Sequence, residues 1–181
     1  METSLPRLFL AIPAGDESRA ALREACSRLK PSAPFRKWVH PADYHITLQF
    51  LGGVPSSQIE TIKEALAREP LGEPFRLALS RLGTFGASSA PRVLWAGLQG
   101  DLPSLARLQQ TVTTLMTPFG YPPEDRPFKP HITLARKAEG PVRLEEVPLA
   151  AADWTVTRFV LYQTHMGRSP MYEEIGEFRF I

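Results

Sequence analysis

The tetrapeptide His45-Ile46-Thr47-Leu48 recurs as His131-Ile132-Thr133-Leu134. Side chains alternate faces along an extended strand, so each copy sets its His and Thr on one side and its Ile and Leu on the other. The apolar pair anchors the strand, and the polar pair is left to face a cleft. Two imidazoles and two hydroxyls are the groups that phosphodiester cleavage needs. One base takes a proton from the attacking water or hydroxyl, and one acid protonates the departing oxygen on the far side of phosphorus. Hydroxyl donors meet the non-bridging oxygens. A free imidazole titrates at about 6.5, so a modest difference in surroundings leaves one histidine neutral and the other charged.

The neighbours of the two motifs supply further candidates. Arg136 stands three residues beyond Thr133, on the opposite face of a regular strand, and reaches a phosphate only if the strand bends or ends there. Asp43 shares the face of His45 as a possible ligand or orienting partner, but Lys129 holds that place in the second copy. No metal is expected, since neither motif has a second His or a carboxylate two or four residues on. Phe9, Trp38, Tyr44 and Phe50 near the first motif, and Tyr121, Phe128 and Tyr162 near the second, are candidates to stack on a base. Arg36, Lys37, Arg126, Lys129 and Arg168 flank the expected cleft and could steer a phosphate backbone. His40 and His165 have no repeat partner and read as structural or surface residues.

The elements that carry these residues repeat as well. The apolar run Arg7-Leu8-Phe9-Leu10-Ala11 precedes His45 at nearly the distance by which Arg92-Val93-Leu94-Trp95-Ala96 precedes His131. An amphipathic stretch and a Pro-bearing loop lie between run and motif in both cases. The pattern predicts strands over 7–12, 45–51, 75–82 and 93–98, and helices over 16–30 and 102–117. A third helix begins at a capping box, Ser57 with Glu60, carries the stripe Ile59, Ile62 and Leu66, and stops before Pro70. Asp101 should cap the 102–117 helix, whose buried stripe is Leu105, Leu108, Val112 and Leu115. The five prolines of 118–130 predict an ordered, irregular loop, and 154–163 and 172–180 read as two closing strands. The expected fold class is α+β, with two pseudo-symmetric lobes whose antiparallel or mixed sheets meet at a central cleft and whose helices pack outside. The chain is expected to be a single domain over 1–181, duplicated as approximately 5–85 and 90–181.

With 43% hydrophobic residues in 181 there is enough apolar matter for one sizeable core. A net charge of +2 excludes a protein coated in Lys and Arg for nonspecific nucleic-acid binding, while leaving room for a local basic cleft. The only cysteine is Cys26, on the face of Leu22, Ala25 and Leu29, so neither a disulfide framework nor a thiolate metal cluster is available. Met1 to Pro6 has no secretory pattern and no apolar run is long enough to span a bilayer. The expectation is a soluble cytoplasmic protein.

The stretches Arg7 to Pro13 (RLFLAIP), His45 to Gly52 (HITLQFLG), Arg92 to Gly97 (RVLWAG), Phe128 to Arg136 (FKPHITLAR) and Leu161 to Thr164 (LYQT) run nearly the length of the chain. In them the sequence resembles the 2H phosphoesterases, and among these the RNA 2′,3′-cyclic phosphodiesterases historically called 2′-5′ RNA ligases. The resemblance implies that Thr47 and Thr133 grip the phosphate, that His45 donates a proton to the leaving 3′ oxygen and that His131 activates water. The implied product is a 2′-phosphomonoester, formed on RNA ends with no metal or nucleotide cofactor, and the chain is expected to be a monomer. A 5′-hydroxyl in place of water would give a 2′-5′ linkage, with abundant water favouring hydrolysis. Two other readings stand beside it. A binding module that holds a nucleotide or RNA end without turnover would be expected to lack a His or a Thr, and all four are present. An esterase for small cyclic nucleotides or a cyclic phosphate of ADP-ribose is not separated by sequence.

Overall fold

The computed structural model describes residues 4–145 and 147–180; Met1 to Thr3, part of the N-terminal stretch read above for a secretory pattern, lie outside the described residues. Among the described residues, nine strands and three helices follow in the order β1 (Arg7–Pro13), α1 (Asp16–Leu29), β2 (Phe35–Trp38), β3 (His45–Gly53), α2 (Ser56–Arg68), β4 (Phe75–Phe85), β5 (Val93–Gly100), α3 (Leu102–Met116), β6 (Ile132–Ala138), β7 (Asp153–Val156), β8 (Arg158–Thr164) and β9 (Tyr172–Arg179). Short 3-10 turns occupy Pro41–Asp43 and Thr117–Phe119. Among the described residues no helix is long and apolar enough to cross a membrane.

Every pairing is antiparallel, and the strands form one curled half-barrel sheet in the order β7-β4-β5-β6-β3-β1-β8-β9, with β2 added to the free edge of β6. The order is symmetric about the β3–β6 junction. Each histidine motif lies at the centre, flanked by the apolar strand that opens its repeat, β1 beside β3 and β5 beside β6. The outer strands are traded: β4, from the first half of the sequence, pairs with β5, whereas β8 and β9, from the second half, extend β1. The stretch read as one strand over 154–163 is two. It breaks at Thr157, sending β7 to β4 and β8 to β1, and the Thr157 carbonyl accepts from Phe180 N at 2.9 Å. The Phe75 and Phe180 rings stack 5.9 Å apart, drawing the two ends of the curl together.

All three helices pack on one face of this sheet. Leu22, Ala25, Cys26 and Leu29 of α1, Ile62 and Leu66 of α2, and Leu105, Leu108, Val112 and Met116 of α3 are buried. Most join one cluster with Leu8, Leu10, Ile12, Ile46, Leu94 and Ile132 from the strands. Each such Leu or Ile removed from water contributes roughly 1.5–3 kcal/mol. Asp101 caps α3 as expected, its carboxylate accepting from Ser104 N at 3.1 Å. The expected capping box of α2 does not form: the cap position falls two residues earlier, at Pro55 before Ser56, so Ser57 lies inside the first turn and makes no cap bond. Gly120 ends the α3 segment in the left-handed region at φ 96°, where a side chain would be strained.

Candidate active site

Burial parity sorts the site residues. Ile46 and Leu48 enter the helix-side core, so His45 and Thr47 stand on the helix-free face of β3, beside Phe9 of β1 at 4.9 Å between rings. Ile132 and Leu134 do the same for β6, and His131 emerges on the helix-free face with the edge of Phe85 at 5.3 Å. β3 and β6 share a single register pair, Ile46 with Ile132. One residue out from that pair on each side, the antiparallel register sets His45 opposite Thr133 and Thr47 opposite His131. Directly opposed residues have Cβ atoms about 5 Å apart and diagonal ones about 7–8 Å or somewhat less. The two imidazoles therefore occupy one diagonal of a small quadrilateral and the two hydroxyls the other. Beyond the junction β6 pairs with β2 instead, through Trp38 with Ala135 and Lys37 with Arg136, and β3 diverges.

The two rings are held alike. His45 Nδ1 lies 2.6 Å from the carbonyl of Asp43, and His131 Nδ1 lies 2.7 Å from the carbonyl of Lys129. A carbonyl only accepts, so both Nδ1 atoms carry a proton and both Nε2 atoms are left for chemistry. The orienting group is the backbone two residues back. This is why Asp43 and Lys129 can differ in side chain. The Asp43 carboxylate is buried and accepts from Met171 N at 2.9 Å and Tyr172 N at 3.3 Å, tying the β8–β9 hairpin to the turn before His45. Thr47 Oγ1 sits 3.0 Å from His45 Nε2 and donates to it while the imidazole is neutral. Burial, the main influence, holds His45 down at about 4; the carbonyl and carboxylate of Asp43 push upward, and the charges of Arg136 and His131 depress it further.

Two bulges decide what else reaches this face. In β3, Leu10 of β1 pairs with Gln49 but Ala11 pairs with Thr47, so Leu48 is an inserted residue. Gln49 consequently turns into the protein, donating to the carbonyl of Tyr121 at 2.9 Å, and Phe50 comes out on the histidine face, 60% exposed. In β6 the shift falls between Thr133, paired with Trp95, and Ala135, paired with Leu94. Leu134 and Ala135 are both buried, and Arg136 returns to the face of Thr133. Regular alternation would have hidden Arg136, and the bulge supplies the bend that its recruitment required. No group of three or more His, Cys, Asp or Glu able to hold a metal occurs among the described residues.

The stacking candidates separate on burial. Tyr44 is not available to a ligand: it is 2% exposed in the helix-side core with its hydroxyl 3.5 Å from Cys26 Sγ. Trp38 packs its ring edgewise on Phe35 with Lys30 over it, and Phe128 is half-buried against the core. Phe9 is 2% exposed and backs His45 from below, in a cluster with Ala11, Val160 and Tyr162 against which Tyr172 packs. Tyr121 is half-buried, its hydroxyl donating to Gln58 Oε1 at 3.1 Å, and of the seven candidates Phe50 is the one well exposed. The aromatic residues near the site that sequence reading passed over are Phe85, Trp95 and Tyr172; Trp95 lay inside an apolar run and carried no signal of its facing. A pocket of about 250 Å³ elsewhere, at the corner of β1 and β7, has its lining charges paired, Arg19 with Asp16 and Arg158 with Glu174.

Comparison with known proteins places this geometry. A family model described as LigT like Phosphoesterase matches residues 12–95 and 99–172. A Geobacillus stearothermophilus protein named RNA 2′,3′-cyclic phosphodiesterase is 40% identical over 176 residues, covering 94% of this chain and 56% of its own length, so this chain spans little more than half of that relative. A Bacillus subtilis (strain 168) protein of the same name is 34% identical over 183 residues, covering 96% of each. Among solved structures, E. coli LigT complexed with NADP+ superposes with a TM-score of 0.82 at 27% identity, over 98% of this chain and 99% of that one.

Proposed function

The chain belongs to the LigT-like phosphoesterase family, and from that premise we propose that it is an RNA 2′,3′-cyclic phosphodiesterase that opens a terminal cyclic phosphate to a 2′-phosphomonoester by metal-independent catalysis. The observation that carries this reading is the single register pair Ile46 with Ile132, which brings both His-x-Thr pairs onto one face with both Nε2 atoms free of backbone partners. His131 Nε2 accepts a proton from water as the water oxygen bonds to phosphorus. His45 Nε2 gives its proton to the 3′ oxygen as the P–O3′ bond breaks. Thr47, Thr133 and Arg136 donate to the non-bridging oxygens, whose charge grows in the transition state. His45 is neutral in the free protein, so its acid role needs a proton taken up with the anionic substrate, whose charge offsets the depressing influence of Arg136. The Thr47 hydroxyl then turns from His45 Nε2 to the phosphoryl oxygen. A 5′-hydroxyl in the place of water gives 2′-5′ ligation as a reversible side reaction.

We further propose that the protein works as a monomer in the cytoplasm on RNA ends. The test is turnover of an oligonucleotide ending in a 2′,3′-cyclic phosphate, with EDTA present. The expected product carries a 2′-phosphate, and His45→Ala or His131→Ala lowers kcat by orders of magnitude with the fold intact. A 3′-phosphate product, abolition by EDTA, or near-normal turnover in either variant would overturn the proposal.

A further inference from the structure

Asp43 is buried, 6% exposed, and a carboxylate is costly to bury unless it is paired or hydrogen-bonded. Its partners are not cations but two backbone amides of a distant segment, Met171 N at 2.9 Å and Tyr172 N at 3.3 Å. The main chain of Asp43 is fixed as well, its amide donating to the His40 carbonyl at 2.8 Å within the 3-10 turn. Both ends of the residue act on His45. The Asp43 carbonyl holds Nδ1 at 2.6 Å, and the ring of Tyr172, whose amide the carboxylate holds, stands edge-on to the imidazole at 5.3 Å. One side chain therefore secures both the tether at Nδ1 and the aromatic wall beside the ring. The second motif has no such anchor. Lys129 offers the same carbonyl to His131, but its side chain is exposed and cationic. A carbonyl alone thus suffices to hold an imidazole, and the buried carboxylate must serve something more.

We propose that Asp43 is the positioning residue of the acid half: pinned by the β8–β9 hairpin, it locks His45 against Tyr172 and supplies the negative charge that lets this imidazole carry the departing proton. This rests on the phosphodiesterase reading above, in which His45 is the acid. The signs fit the two roles, since an anion favours the charged ring an acid needs and a cation the neutral ring a base needs. Arg136 and His131 face His45 from β6 and disfavour its charge, Tyr162 and Tyr172 face it from β8 and β9, and Asp43 is the anion among these groups. Asp43 itself exchanges no proton. Nδ1 keeps its own, and the Nε2 proton passes to the 3′ oxygen as the P–O3′ bond breaks.

The experiment compares adenosine 2′,3′-cyclic phosphate with its 3′-thio analogue, whose P–S bond breaks to a thiolate that leaves without a proton. Asp43→Asn keeps the shape, removes the charge and turns an NH2 group toward one hairpin amide. It should lower kcat on the oxygen compound about 10- to 100-fold, the range for partners that orient a site's histidine. KM should hardly move, because Asp43 touches no substrate. The thio compound should be turned over at nearly the wild-type rate, which also certifies the fold. Asp43→Glu, with the charge and both acceptor oxygens kept, should recover part of the loss. In a His45→Ala background Asp43→Asn should add nothing, since both changes act on one proton transfer. By NMR the His45 titration should fall in Asp43→Asn, because the upward push of the carboxylate is gone. Equal losses on both compounds, through distortion or unfolding, would make Asp43 structural only and overturn the proposal, as would an unchanged rate on the oxygen compound. If the wild type hydrolyses neither compound and the titration still falls, the phosphodiesterase reading fails and the hold on His45 stands.

Discussion

The two threonines are equivalent by position but not by bonding, and the difference predicts an order. The site's side-chain hydrogen bonds are His45 Nδ1 with Asp43 O, His131 Nδ1 with Lys129 O, and His45 Nε2 with Thr47 Oγ1 at 3.0 Å; Thr133 takes part in none of them. A hydroxyl donating to a charged phosphoryl oxygen contributes roughly 1.5–3 kcal/mol, and a neutral bond about 0.5–1.5 kcal/mol. Thr133→Val should lose the charged bond in full, a fall of about 10- to 150-fold in kcat/KM. Thr47 must first release His45, so Thr47→Val forgoes only the difference, about 1 kcal/mol and roughly fivefold. The assay is initial-rate hydrolysis of an oligonucleotide ending in a cyclic phosphate at pH 7, with the isosteric valine keeping the packing. Equal losses, or a larger loss for Thr47→Val, would refute the claim that Thr47 is engaged with His45 before substrate arrives.

Four further outcomes can be checked. His45 should titrate near 4 by NMR in the free protein and move upward when a 2′-nucleotide saturates the site; a resonance that ignores the ligand would contradict proton uptake on binding. The folded state holds His45 below its unfolded value of about 6.5, so the unfolded chain binds the extra proton between these values and stability falls as pH drops through that window. His45→Gln should flatten this acid-side loss in thermal melts recorded from pH 7 to 4. Arg136→Met should raise the His45 titration, because a depressing charge is gone, and should weaken phosphate binding; a lowered or unmoved His45 would place Arg136 away from the site. Gln49→Leu removes the bond to the Tyr121 carbonyl that ties the 118–130 loop to β3, and kcat should fall more than the melting temperature if that tie helps to place His131.

Alternation alone revealed the part of this site nearest the motifs. His45 with Thr47 and His131 with Thr133 are separated by one apolar residue each, and no bulge intervenes between the His and the Thr of either motif. Two to three residues beyond each Thr, the same rule misplaces Gln49, Phe50 and Arg136, because an inserted Leu48 or Leu134 resets the facing. A bulge is a property of two strands in register, and neither sequence segment shows it alone. The break at Thr157 escaped for a related reason: 154–163 is uniformly suited to a strand, and only the positions of β4 and β1 make it serve both. β2 is four residues with two exposed charges and owes its existence to the open edge of β6. Tyr44 was misjudged by its nearness in sequence to His45, although adjacent residues on a strand face opposite ways.

The trading of outer strands bears on how the molecule is born. Leu10 lies beside Leu161 in the sheet, so a chain emerging from a ribosome displays its first strand long before the neighbour that covers it has been synthesised. Until then one edge of β1 is an unclaimed row of amides and carbonyls, the kind of edge that recruits strands from other molecules. Such distant partners also make for slow closure. A nascent polypeptide shortened before β8 would present His45 on an unfinished sheet, and synthesis through the β8–β9 hairpin is what covers that edge.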